Sequence, residues 1–178
     1  MKRRPATLEE ARALAHPLRV RILRLCLDEE LTNKQIADRL GKDPATVIHH
    51  VRTLASTGFL AAGAVRAGAS GALEKPYRAT GKSWTLDISE LDEELGVGVA
   101  MVDAFRDELL ESGAHSVEAL SRFAVTLTKR SLEELVSRLN AIVEEYGDRP
   151  PEKDGEPYGV LVGIHRRAWP AAKGDREA

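Results

Sequence analysis

The segment NKQIADRLGKDPATVIHHVRTL, Asn33 to Leu54, holds two short runs of helical periodicity on either side of Gly41. Thr32 is placed to cap the first run, whose inward positions are Ile36, Ala37 and Leu40. Gly41 supplies the left-handed backbone that ends it. Asp43 then caps a second run with Pro44 at its first position and Val47, Val51 and Leu54 facing inward. A small residue where two helices cross, a glycine in the turn and an apolar face on the second helix are the steric requirements of a helix-turn-helix. All three fall in register here, which is more specific than any one residue type.

Projected at about 100° per residue, Ala45, Thr46, His49, Arg52, Thr53 and Ser56 share the arc opposite Val47, Val51 and Leu54. No acid occurs between Asp43 and Glu74. A merely solvated helix usually carries carboxylates on its outer face. A helix that enters the major groove must exclude them, because they repel phosphates. The adjacent His49 and His50 invite a metal-site reading, but neighbouring helical positions diverge by about 100° and cannot readily chelate one ion. A chelating pair needs i, i+4 spacing, which neither histidine has in this helix. His49 is therefore expected to approach bases, and His50 to be a boundary residue hydrogen-bonded to backbone or phosphate.

Working outward, Thr7 is expected to cap a helix from Leu8 to Ala15, and Pro17 to open a second that ends at Asp28-Glu29-Glu30. Phe59 to Arg66 and Glu74 to Thr80 read as a hairpin around a glycine-containing tip at 67–72, with Pro76 marking an edge strand or bulge. Such a wing can lie along a duplex backbone or reach a minor groove, which makes Arg66, Lys75 and Arg78 candidates. Asn33, Lys34 and Gln35 begin a helix whose amides and dipole can hold a phosphate, with Lys42 in the following turn. Farther on, Ser89 is expected to cap one long helix from Glu90 to Glu111. Gly96 and Gly98 inside it permit either close approach of another backbone or a local kink. Phe123–Leu127 and Tyr158–Ile164 alternate as strands around a helix with apolar positions Leu132, Leu135, Val136, Leu139, Ile142 and Val143. Two strands alone are marginal, so this unit needs a partner surface.

The 178 residues carry a net charge of −2, unevenly spread. Residues 1–86 hold 15 Lys/Arg against 8 Asp/Glu, whereas residues 87–178 hold 11 against 20. Only the first half is expected to meet a polyanion. No apolar run approaches the roughly 20 residues of a membrane span, and no secretory leader follows the basic start, so cytoplasmic residence is expected. Cys26, the only cysteine, excludes an internal disulfide and a Cys-rich metal site; its helical position beside Ile22 and Leu25 points to core packing rather than redox switching. No nucleophile–base pair, phosphate loop or metal cluster is evident, so neither enzymatic activity nor a cofactor is expected. The pairs Glu93-Glu94, Glu133-Glu134 and Glu144-Glu145 read as solvated helix faces.

The stretches LAHPLRVRILRLC, LTNKQIADRLGKDPATVIHHVRTLASTGFL and EKPYRATGKSW follow one another between Leu8 and Trp84 and resemble winged-helix repressors of the ArsR type. The resemblance covers about half the chain. It implies a dimeric repressor-like regulator that binds operator DNA, with Thr46, His49 and His50 at DNA-contacting positions. Ile48 departs from it, since a small polar residue is common there. The cysteine pair of metal-sensing members has no counterpart in LTNKQIADRL, so metal sensing is not implied. The strand-helix-strand part resembles the C-terminal extensions of some relatives.

The expected fold is therefore α+β, mainly α. A winged helix-turn-helix over 1–86 is followed by a dimerisation and effector region over 87–170, made of the long helix and the strand-helix-strand part, and a disordered tail over 171–178. The expected function is sequence-specific transcriptional regulation, as a repressor, by a homodimer on double-stranded DNA. A winged helix serving protein contacts is the alternative. The second half is left with two roles, dimerisation and capture of an unidentified small-molecule effector.

Overall fold

A computed structural model of the chain describes residues 3–68, 71–147, 149–150 and 152–167. They divide into two compact units, 1–126 and 127–178.

In the first unit, helix α1 (Leu8–Leu14) starts at a capping box in which Thr7 and Glu10 each accept from the other's amide. Helix α2 (Pro17–Asp28) has Pro17 in its first turn and His16 as its N-cap, with the imidazole Nδ1 accepting from the Leu18 amide. Helices α3 (Asn33–Leu40) and α4 (Pro44–Ser56) meet through Gly41, which sits at φ 58°. Ala37, Val47, Val51 and Leu54 are fully buried between them and the core. The helix-turn-helix expected from Asn33–Leu54 is thus formed at the expected boundaries.

The wing differs from expectation in a way that explains Pro76. Strand β6 (Pro76–Ala79) is central, not an edge: it pairs antiparallel with β3 (Leu60–Ala62) and also with β2 (Leu31–Thr32), the residues leading into α3. Proline is tolerated because it is the first residue of its strand. The hairpin continues as β4 (Arg66–Ala67) and β5 (Leu73–Glu74). Between the two ladders the register shifts from Ala62↔Tyr77 to Arg66↔Glu74, which leaves one extra residue on the outgoing strand, a bulge at 63–65. The two continuous strands expected over Phe59–Arg66 and Glu74–Thr80 are therefore shorter segments. Residues 69–70 of the tip lie outside those described.

Strand β1 (Arg4–Pro5) pairs in parallel with β7 (Leu86–Asp87), so the chain's start is tied to the segment after the wing. The expected single helix from Glu90 is two, α5 (Ser89–Leu95) and α6 (Val97–Ser112), broken at Gly96 with φ 65°. The kink is the correct alternative. Asp92 turns its carboxylate to accept from the Gly98 amide at 2.6 Å, and a Cβ on Gly98 would meet that carboxylate at 2.9 Å. Ser89 is the first helical residue rather than the cap, and its amide is taken by Asp87. Helix α6 buries Val97, Ala100 and Ala104 and packs along α2, where Arg21 pairs with Glu111 and Arg24 with Glu108. The compact unit that contains the winged helix therefore runs on past residue 86, because the acidic helix supplies counterions to the basic one.

The core of this unit gathers Leu14, Ile22, Cys26, Leu31, Ile36, Leu54 and Phe59. Burial pushes the Cys26 thiol up to about 12, which removes its thiolate at neutral pH. Alkylation of the folded protein at pH 8 is expected to be slower than in urea by about two orders of magnitude. Comparable rates in the two states would contradict this packing.

In the second unit, α7 (Lys129–Gly147) buries none of its residues. The strands expected at Phe123–Leu127 and Tyr158–Ile164 do not form: neither segment enters a ladder among the described residues. An isolated pair of strands is marginal without a covering layer. Residues 171–178, expected to be disordered, lie outside those described. No described helix is long and apolar enough to cross a membrane.

Candidate nucleic-acid interface

Helix α4 presents Ala45, Thr46, His49 and Arg52 to solvent, while Val47, Val51 and Leu54 anchor its other side. Lys34 and Lys42 are exposed at the neighbouring ends of α3 and α4. On β6, Arg78 pairs across the ladder with Ala61, and both side chains are exposed. Lys75 is exposed just before this strand, with its ammonium 6.0 Å from the Tyr77 ring centre. Arg66 is exposed but directly opposite Glu74, whose charge reduces the basicity of the wing's outer half. None of Lys34, Lys42, Arg52, Arg66, Lys75 and Arg78 enters an ion pair among the described residues. Several other basic residues of the first unit are engaged: Arg4 and Lys82 by Glu10, Arg21 and Arg24 by α6, and Arg39 by Glu29. Arg19 donates to the carbonyls of Ala13 and Arg12 at 2.5 and 2.6 Å. Six cations without an ion pair among the described residues thus lie on the helix-turn-helix and wing.

Three expected contact residues make hydrogen bonds within the domain. Asn33 donates to the Pro44 carbonyl at 2.9 Å and clamps the α3–α4 turn. Gln35 closes the α3 capping box, its Oε1 accepting from the Thr32 amide at 2.9 Å. Thr53 is half-buried, donates to the His49 carbonyl at 3.0 Å, and borders a recess with Leu8, Arg12 and Arg19. It stands toward the C-terminal end of α4.

His50 also differs from expectation. Its ring lies against His16 at the start of α2, with centroids 4.6 Å apart and planes tilted by 57°. Its Nδ1 is buried and makes no hydrogen bond, so the expected backbone bond is absent at that atom. Burial holds His50 below the ordinary histidine range, aided by the positive fields of His16, Arg19 and His49. Burial and Arg19 lower His16 likewise. The two rings form a packing contact between the start of α2 and α4. Sequence spacing could not find this pair, because its members are 34 residues apart and meet only when α2 crosses α4. Among the described residues no three His, Cys, Asp or Glu side chains are grouped as metal ligands would be.

Residues 14–61 match a family described as a helix-turn-helix domain. Comparison with curated proteins gives no match. Among solved structures, the chain is similar to a mutant of Lactococcus lactis ZitR, at 16% identity over 73% of each chain with a TM-score of 0.32. It is similar to the transcriptional regulator SlyA at 17% identity over 74% of this chain and 75% of that one, with a TM-score of 0.30. A mutant of S. aureus MepR bound to an oligodeoxyribonucleotide is 16% identical over 75% of this chain and 78% of that one, with a TM-score of 0.31. At residues 14–61 the family match and the geometry coincide, and this part of the chain is a helix-turn-helix domain.

Proposed function

We propose that the protein is a sequence-specific DNA-binding transcriptional regulator, a repressor, acting as a homodimer on a two-fold symmetric operator. The observation that carries this reading is the open arc of α4: exposed, free of carboxylates after its cap, and ringed by unengaged Lys34, Lys42 and Arg52. Ala45, Thr46 and His49 read base edges in the major groove. Arg78 and Lys75 of the wing hold the flanking backbone. Arg66, beside Glu74, contributes least.

Helix α6 supports the dimer. One face packs on α2, yet Val99, Val102 and Leu110 on another face are 67%, 54% and 68% exposed. A helix with one buried and one exposed apolar face is suited to a second contact, and a dimer reads a two-fold operator whose half-sites lie about one DNA turn apart.

The test is binding to genomic fragments over a salt series. Phosphate contacts require log K to fall steeply with log salt. Lys42→Ala is expected to reduce the slope by about 1 while weakening all sequences alike. A flat salt dependence would favour the alternative, a winged helix that contacts only protein.

A further inference from the structure

An open recess of about 420 Å³ lies between α1, α2 and the C-terminal half of α4. Leu8 and Ala13 give it an apolar lining, Arg12 and Arg19 enter it from α1 and α2, and Thr53 and Ser56 from α4. It plays no part in the function proposed above. On a wheel of about 100° per residue, Thr53 and Ser56 stand within about 40° of His49. The recess therefore opens beside the outward arc of α4, about one to two turns beyond His49.

Both arginines are available to an anion. Arg12 is exposed in the last turn of α1, and its side chain enters no ion pair or hydrogen bond among the described residues. Arg19 is half-buried. Its Nε and Nη2 donate to the carbonyls of Ala13 and Arg12, at the end of α1 where helix carbonyls lack intrahelical partners. These bonds hold the guanidinium in place but bring it no carboxylate. Burial alone shifts Arg19, downward, with no acid to offset it. A cation held still and left without a counterion is preorganised for an anion. The Thr53 and Ser56 hydroxyls donate to the carbonyls of His49 and Thr53, each at 3.0 Å, so the two guanidinium groups are the donors that face the recess. Glu9 also lines it, one negative charge against two positive.

The dimensions of α4 say which anion meets them. A helix with its side chains is about 10–12 Å across, and the major groove of B-DNA is about 12 Å wide. A helix seated there fills the groove, so groups that flank its outward arc meet the sugar-phosphate backbone. We propose that the recess is a backbone seat, in which Arg12 and Arg19 grip one phosphodiester of the duplex beside the C-terminal half of α4. This rests on the reading of α4 as the groove-entering helix and adds to it a contact made by α1 and α2, outside the helix-turn-helix and wing. With Lys42 just before the other end of α4, the helix is held at both ends, which fixes its angle in the groove.

The test is a salt series with the full chain and a short duplex of arbitrary sequence, since a backbone contact does not depend on sequence. Each phosphate contact contributes about 0.9 to the slope of log K against log salt. Arg12→Ala is expected to lower the slope by about 0.9, and so to weaken binding about eightfold near 0.1 M salt. The Arg12 side chain holds nothing else in the fold, so the melting temperature should not move, and Arg12→Lys should recover most of the slope. Glu9→Gln removes the acid beside the seat and is expected to tighten binding about twofold. An unchanged slope in Arg12→Ala, or weaker binding in Glu9→Gln, would overturn the proposal. If Arg12→Ala keeps the native slope but loses a rise in melting temperature on adding inorganic phosphate, the recess takes free anions instead, which also overturns it. Lys42→Ala separates the two readings. If it lowers the slope and Arg12→Ala does not, α4 still meets DNA and the seat fails. If the native protein shows no slope at all, the DNA reading fails and the seat with it.

Discussion

Replacing Thr46 and His49 together by alanine is expected to weaken binding to the cognate duplex by about 10²- to 10⁴-fold at fixed salt. Each lost base contact costs about 1–3 kcal/mol, and well-separated positions add roughly. Both side chains stand exposed on the open arc of α4, one turn apart, so neither substitution disturbs the core. The folded protein should keep its thermal stability within about 1 kcal/mol. Binding to unrelated duplexes should change far less, because phosphate contacts through Lys34, Lys42 and the wing remain. Retained cognate affinity in the double variant, measured by titration against a fluorescent duplex, would remove α4 as the reading element. Thr53→Ala is the internal control. Its hydroxyl is committed to the His49 carbonyl, so it should cost little affinity.

The largest stability effect is expected at Glu10. This carboxylate, 8% exposed, accepts from Arg4 at 2.6 and 2.9 Å, from Lys82 at 2.7 Å and from the Thr7 amide at 2.9 Å. Lys82 also donates to the Thr57 carbonyl at 2.5 Å and stands 5.1 Å over the Phe59 ring. One acid thus joins the chain's start, α1, the end of α4 and the segment after the wing. Glu10→Ala removes the acceptor and leaves two cations facing a void. A loss of about 2–3 kcal/mol follows, below the usual cost of breaking a buried pair because Arg4 is half-exposed. The melting temperature should fall by about 10 °C.

The same group sets a pH dependence. Hydrogen bonds from Arg4 hold the Glu10 carboxyl far below the usual range, with Lys82 and the Thr7 amide outweighing burial. The folded value lies beneath the unfolded one, near 4.3. Its contribution is therefore complete above pH ~4.3 and lost progressively as pH falls toward the folded value. Glu10→Gln cannot ionise, so the gap in melting temperature between it and the native protein should narrow below pH 4. A gap that stays constant down to pH 3 would mean that the ion pairs contribute nothing.

Much of this molecule is written locally. Thr32, Gly41, Asp43 and Pro44 place the ends of α3 and α4 because caps and left-handed glycines act within a single turn. Ile36, Ala37, Val47, Val51 and Leu54 announce the buried faces because helical spacing converts sequence directly into a side. The open arc of α4 was legible for the same reason. What the sequence left undecided depends on groups that meet from far apart. Pro76 lies in a central strand because Leu31–Thr32 pairs on its other edge, and it is tolerated there as the strand's first residue. His50 was settled by His16, and Thr53 by the approach of α1 and α2. The glycines at 96 and 98 were ambiguous until the Asp92 carboxylate was seen seated against them. The sequence by itself determined which residues line each element and which face each element buries. Only the tertiary structure decided which basic side chains are neutralised by α6 and Glu10 and which remain for a polyanion, because ion pairing is set by distance in space and not along the chain.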